Sequence, residues 1–204
     1  MPIFSIDTET ILGISHSGEV TAEGTGTVEL TDEEVQQLIE LIRENGGETD
    51  VEKLHLEEKY PEIYETLDDA YREAASEAAF REWMIKGYEC DYFSEPDDFK
   101  DAIEAAGIFK FEPTAEQIES FRENYGLEED DELDPDELNE YLEDEKWDAF
   151  YDCVNKHYNS LDEDGKVDFI ELFYADALED WDSGEVEYDV EIPPAIIKMA
   201  KEGQ

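Results

Sequence analysis

Three observations in the sequence predict a helix-dominated α+β fold with a small antiparallel sheet. About thirty N-terminal residues alternate and turn at the period of strands. Helix-start signals then recur from Thr31 onward. Large side chains are plentiful enough to fill a core, with 3 Trp, 11 Tyr and 10 Phe in 204 residues.

The strands are read in PIFSI and TILGIS and then at residues 19–22 and 26–30. Gly24-Thr25-Gly26 reads as a hairpin turn between them. Thr31 with Glu34, Thr49 with Glu52, and Thr114 with Gln117 each have capping-box spacing, and Asp134 stands before Pro135 as a cap before a first-turn proline. Helices are therefore expected at 32–44, 51–59, 61–89, 96–106, 115–125, 135–158 and 168–181. The aromatic stripe of Tyr60, Tyr64, Tyr71, Phe80 and Trp83 has helical spacing and reads as core. Two further strands are expected near 107–112 and 185–192. In the second, Glu185, Glu187, Asp189 and Glu191 alternate with Val186, Tyr188, Val190 and Ile192, so one face packs and the other is a ladder of charge. The whole reads as one compact unit over 1–204: a β-hairpin region at 1–30, a helical region at 31–106, and an acidic helical region at 107–204 that ends in a strand.

Charge narrows the partners. The chain has 61 Asp and Glu against 14 Lys and Arg, a net charge of -47. Nucleic acids and membrane surfaces are themselves anionic, so direct binding to either is disfavoured, while basic proteins and cations are favoured. No stretch approaches the roughly 18 apolar residues of a membrane span. The N-terminus has neither the basic nor the apolar region of an export signal. Cys90 and Cys153 suggest no disulfide framework and read as reduced thiols of a cytosolic protein, Cys153 as part of a core.

The densest charge lies at 123–145, with 13 acids in 23 positions and no Lys or Arg. Taken alone, such a run fits a solvated loop and helix face. Leu133, Leu138, Tyr141 and Leu142 punctuate it, however, and would anchor its carboxylates on ordered backbone. The candidate partner-binding residues are Glu128, Glu129, Asp130, Asp131, Glu132 and Asp134, followed by Asp136, Glu137, Glu140, Glu143, Asp144 and Glu145. Fixed carboxylates accept the charge-assisted hydrogen bonds that Arg and Lys otherwise give to phosphates.

In charge density, size and aromatic content the chain resembles the DNA-mimic inhibitors that phages and mobile elements direct against restriction enzymes, CRISPR effectors and other DNA-binding proteins. That resemblance implies an anti-restriction or anti-CRISPR type of protein with no chemistry of its own. It would occupy the basic nucleic-acid channel of a DNA- or RNA-binding protein. Members of this group have unrelated folds, so no residue roles carry over.

A second, local pattern resembles an EF-hand calcium loop at 160–171. Ser160 stands at its first position, Asp162 and Asp164 at the third and fifth, and Gly165 at the turn. Lys166 would offer its carbonyl, Asp168 a direct or water-mediated contact, and Glu171 the bidentate carboxylate. Ser160 departs from the Asp of the family. A partner hand at 126–137 matches only in its second half, through Leu133, Asp134 and Glu137. Calcium is thus the one cofactor the sequence suggests, and an ordinary acidic helix-loop-helix is the alternative.

Catalytic constellations are missing from the sequence: His16, His55 and His157 stand singly, and there is no phosphate-binding loop, GxSxG or HExxH. No enzymatic activity is expected. Two other accounts of the charge remain open, a chaperone that sequesters basic proteins and adaptation to high salt.

Overall fold

A computed structural model describes residues 1–14, 18–181 and 186–202, with backbone alone at 12–14 and 18–20. His16 and Glu185 lie outside the described residues. The fold is α+β and dominated by helices, with a two-stranded antiparallel sheet. The chain divides into two compact units, one of Met1–Phe93 with Leu178–Gln204 and one of Ser94–Ala177. These boundaries cut across the three regions expected from the sequence. Residues 1–93 group with the C-terminal segment, and the acidic region is divided after Ala177.

In the first unit, β1 (Ile3–Ile14) and β2 (Gly18–Glu29) pair in a register that sets Phe4 opposite Val28, Ile6 opposite Gly26, Thr8 opposite Gly24 and Thr10 opposite Ala22. Because side chains alternate across a strand, these eight residues share one face. That face packs on helix α3 (Pro61–Glu89), whose Ala74 and Ala78 meet it. Gly24 and Gly26 are therefore not a hairpin turn. They sit inside β2, and a Cβ on Gly24 would lie 2.6 Å from the Ala74 carbonyl oxygen. Glycine here permits close approach of a helix backbone to a strand.

Helix α1 (Asp32–Glu44) starts at the expected capping box, with Thr31 and Glu34 each holding the other's backbone N–H. Its Leu38, Leu41 and Ile42 join Leu54, Leu56, Ile63 and Leu67 in the core. The expected helix at 51–59 shrinks to α2 (Leu56–Lys59). Thr49 does not cap it: the Glu48 carboxylate accepts the Thr49 and Asp50 N–H groups, and Asp50 accepts those of Glu52 and Lys53. His55 then adopts a left-handed conformation, φ 53°, which no helix continues through. At the far end of α3, Phe80, Trp83, Phe93 and Trp181 form an aromatic cluster. Of the aromatic stripe, Tyr71 and Trp83 are buried, while Tyr60, Tyr64 and Phe80 are half-buried.

The expected C-terminal strand is an extended segment instead. Among the described residues Glu187 alone bridges, to Ile11, and its carbonyl accepts the Thr10 hydroxyl at 2.5 Å. The alternation is nonetheless kept, with Ile192 buried, Tyr188 and Val190 half-buried, and Glu187, Asp189 and Glu191 exposed. Pro194 opens a helix the sequence reading did not include, α9 (Pro194–Glu202). Arg43 of α1 holds its last turn, donating to the Ala200 carbonyl at 3.0 Å and the Met199 carbonyl at 3.2 Å.

The second unit is built from helices. They are α4 (Phe99–Ala105), α5 (Ala115–Tyr125), α6 (Pro135–Tyr141), α7 (Glu143–Ser160) and α8 (Glu163–Phe173). Phe99, Phe109, Phe150, Phe173 and Tyr174 meet as edge and tilted ring pairs, and Ile103, Val154 and Ile170 are buried in the same unit. The 107–112 segment is no strand. Gly107 ends α4 at φ 72°, and Phe109 packs into this helical core without a ladder partner among the described residues. The single helix expected at 135–158 breaks at Leu142, which is 1% exposed and anchors the elbow between α6 and α7. The helix expected at 168–181 begins earlier as α8 and passes into a 3₁₀ turn, Ala175–Asp180.

Candidate protein-interaction site

Arginine, proline and leucine together hold the acidic run of the second unit in place. Helix α5 ends at Gly126 in the left-handed conformation, φ 69°, where a side chain would be strained, and the Leu127 N–H returns to the Arg122 carbonyl at 2.9 Å. The chain then turns tightly: the Asp131 N–H reaches the Glu128 carbonyl at 3.1 Å, and the Asp131 carboxylate accepts the Glu128 N–H at 2.7 Å. The Arg122 guanidinium clamps this turn, donating to the carbonyls of Glu128 and Asp131. Asp134 caps α6 by accepting from Asp136 and Glu137 N–H groups at 2.9 and 3.4 Å, as its place before Pro135 predicted.

Inward, Leu142 is buried and Leu133 and Leu138 are half-buried, while Tyr141 meets the rings of Phe121 and Tyr125. Outward, every candidate residue from Glu128 to Glu132, together with Asp134, Asp136, Glu137, Glu140, Glu143, Asp144 and Glu145, is exposed. The local arginine donates to backbone carbonyls, and among the described residues none of these carboxylates has an ion-pair partner. Glu143, Asp144 and Glu145 also occupy the first turn of α7, where the positive end of the helix dipole favours anions.

The calcium-loop expectation is corrected by the backbone. Ser160 is the last residue of α7, and α8 begins at Glu163, so Asp164, Gly165, Lys166, Asp168 and Glu171 lie on a helix rather than in a ligand loop. Asp162 is the N-cap of α8, its carboxylate accepting the Gly165 N–H at 3.0 Å. The partner hand dissolves likewise into the Gly126 helix end and the Asp134 cap. Among the described residues no group of three or more His, Cys, Asp or Glu side chains is placed to hold a metal ion.

His157 packs against the Phe169 ring, and His55 is exposed with Glu58 at 3.9 Å. Cys153, half-buried, donates to the Ile108 carbonyl at 3.2 Å. No helix among the described residues is long and apolar enough to cross a membrane.

A second acidic feature, which the sequence reading missed, lies in the first unit. A groove of about 890 Å³ is lined by the 49–55 turns, α2, one flank of α3, the 188–192 segment and Ile197 of α9. Its signal in the sequence was the acidic ladder of 185–192, but the walls from the 49–55 turns, α2 and α3 come from segments more than a hundred residues away. No known protein family, curated protein or solved structure matches the chain.

Proposed function

We propose that the acidic face formed by residues 128–145 binds a basic nucleic-acid-binding protein in place of its DNA or RNA, and so inhibits it in the manner of anti-restriction and anti-CRISPR proteins. In this reading the chain works in the cytosol, performs no chemistry and does not itself bind nucleic acid. The observation that carries it is the exposure of every candidate carboxylate on capped and clamped backbone, with no Lys or Arg between Glu123 and Glu145. An ordered array offers acceptors at fixed positions, which a solvated tail does not, and a channel lined with Arg and Lys recognises charge at fixed positions.

The test begins with proteins captured from the native cell on the immobilised chain. A mimic's partner should elute at moderate salt, be displaced by duplex DNA or structured RNA, and lose its own nucleic-acid binding when the chain is added. The variant Glu128→Gln, Asp130→Asn, Asp131→Asn, Glu132→Gln should inhibit at least about tenfold less well. The Asn at 131 retains an oxygen able to accept the Glu128 N–H, so the turn is preserved. Inhibition unchanged in this variant removes residues 128–132 as the interface. A partner that stays bound in the presence of excess nucleic acid points instead to sequestration of basic proteins.

A further inference from the structure

The groove of the first unit is lined by both apolar and anionic side chains. Tyr64, Tyr188, Val51, Val190, Ile192 and Ile197 contribute its aromatic and aliphatic surface. Around them stand Asp50, Glu52, Glu57, Glu58, Asp68 and Glu191, and among the described residues no lysine or arginine lines it. Asp50 is paired with Lys53 at 3.1 Å, but Glu52, Glu57 and Glu191 have no cation partner among the described residues. Acidic side chains therefore outnumber the nearby cations, Lys53 and Arg72. The Tyr64 hydroxyl is held above the usual tyrosine range first by burial and then by the charges of Asp68 and Glu57.

One edge of the groove already shows what its groups accept. Outside it, the Arg72 guanidinium donates to the Tyr188 hydroxyl at 3.0 Å and pairs with Asp68, and Asp68 in turn accepts from Tyr188 at 3.0 Å. The same tyrosine and carboxylate line the groove. A long cationic side chain has a matching anatomy, because its alkyl stem covers apolar surface while its head stays with charge. Guanidinium fits better than ammonium: it is planar, stacks on tyrosine and forks onto carboxylates.

We infer that this groove is a docking site for an extended, arginine-bearing segment of a partner protein, with guanidinium groups stacked on Tyr64 and Tyr188 and paired with Glu52, Glu57 and Glu191. Its volume lies in the range of sites that enclose a drug-sized ligand, which suits a few residues of peptide. The site shares no residue with the acidic face of the other unit, so either can fail without the other.

The experiment titrates the full chain, isotope-labelled, with an acetylated and amidated hexa-arginine peptide, with hexa-lysine and with spermine, at about 150 mM salt. Resonances of 50–58, Tyr64 and 188–192 report the groove separately from those of 128–145. Expected are saturable shifts at the groove, hexa-arginine bound at least about tenfold more tightly than hexa-lysine or spermine, and a loss of about tenfold in Glu57→Gln/Glu191→Gln. The four-amide variant of residues 128–132 should leave the groove titration unchanged. The inference is overturned if the groove resonances do not move, if the three cations bind there equally, or if the groove variant and the four-amide variant weaken binding alike. Equal binding would mean that unspecific attraction to a polyanion explains everything.

Discussion

Replacing Gly24 by Ala tests whether β2 and α3 are as close as the strand register requires, and its sign is decisive. Glycine inside a strand is costly, so in open space Gly→Ala should stabilise by about 0.5–1 kcal/mol. At position 24 the new Cβ would lie 2.6 Å from the Ala74 carbonyl oxygen and 3.0 Å from the Ala78 Cβ. A carbon normally sits about 3.3–3.6 Å from such an oxygen, so the helix must retreat by roughly 0.7 Å. A gap of that size forfeits about a quarter to a half of the dispersion attraction of the atoms it separates. The expected net effect is a destabilisation of about 2–3 kcal/mol, at the upper end for overpacking. Urea unfolding, followed through the fluorescence of Trp83 and Trp181 in the same unit, gives the value. Gly26→Ala sharpens the test, because its Cβ would meet the Ala74 side chain at 3.0 Å rather than a backbone atom. Adding Ala74→Gly should therefore rescue Gly26→Ala with a coupling on the order of 1 kcal/mol, while Gly24→Ala and Ala74→Gly should add within about 0.5 kcal/mol. A stabilising Gly24→Ala, or equal couplings for the two glycines, refutes the packing argument.

Two further outcomes follow from the same geometry. Tyr71 is 1% exposed, and its hydroxyl pKa is pushed up to about 12 by burial, then by the charges of Glu191 and Asp7. The neutral form is favoured by folding, so this contribution is complete below about pH 10, the unfolded value, and is lost as pH rises to about 12. Tyr71→Phe should therefore remove up to about 2–3 kcal/mol of the decline in stability between pH 10 and 12. An unaltered pH profile would contradict it. Asp162→Ala should cost about 1 kcal/mol through loss of the α8 cap, equally in calcium and in chelator, as read from thermal unfolding. A melting shift that appears with calcium and vanishes in Glu171→Gln would restore the ligand loop.

Local chemistry made parts of this fold legible. The ends of α1, α3 and α5 follow from Thr31 with Glu34, Pro61, and Thr114 with Gln117, because a cap and a proline act on backbone groups within one turn. Gly24 and Gly26 misled for the opposite reason. They look like turn residues in sequence, but their small size answers to Ala74 and Ala78, about fifty residues later and on another element. The 107–112 segment has the alternation of a strand but no strand to pair with among the described residues, so Phe109 went to a helical core while Phe111 stays half-buried. Asp162 was open to two readings because a helix cap and a calcium ligand ask for the same side chain, and only backbone direction separates them. The exposed face of 128–145 was legible through Leu133, Leu138 and Leu142, which fix what points inward. The groove was not, since Asp50, Tyr64 and Tyr188 belong to segments that meet only in the folded unit.

A chain of net charge -47 must fold against its own repulsion, and the placement of its few cations shows how. Acids fill the first turns of α1, α6, α7 and α8, where helix dipoles favour them. Arg43 and Arg122 donate to backbone carbonyls at a helix end and a turn. Lys53, Lys86 and Lys156 pair with acids three to five residues away, contacts of small net value on an exposed surface. At the groove Lys53 pairs with Asp50 and Arg72 with Asp68, while among the described residues the outward carboxylates of 128–145 have no ion-pair partner. Arg122 lies within reach of an acidic turn but does not pair with its carboxylates. It secures their backbone instead, so the turn keeps its shape while its carboxylates stay exposed.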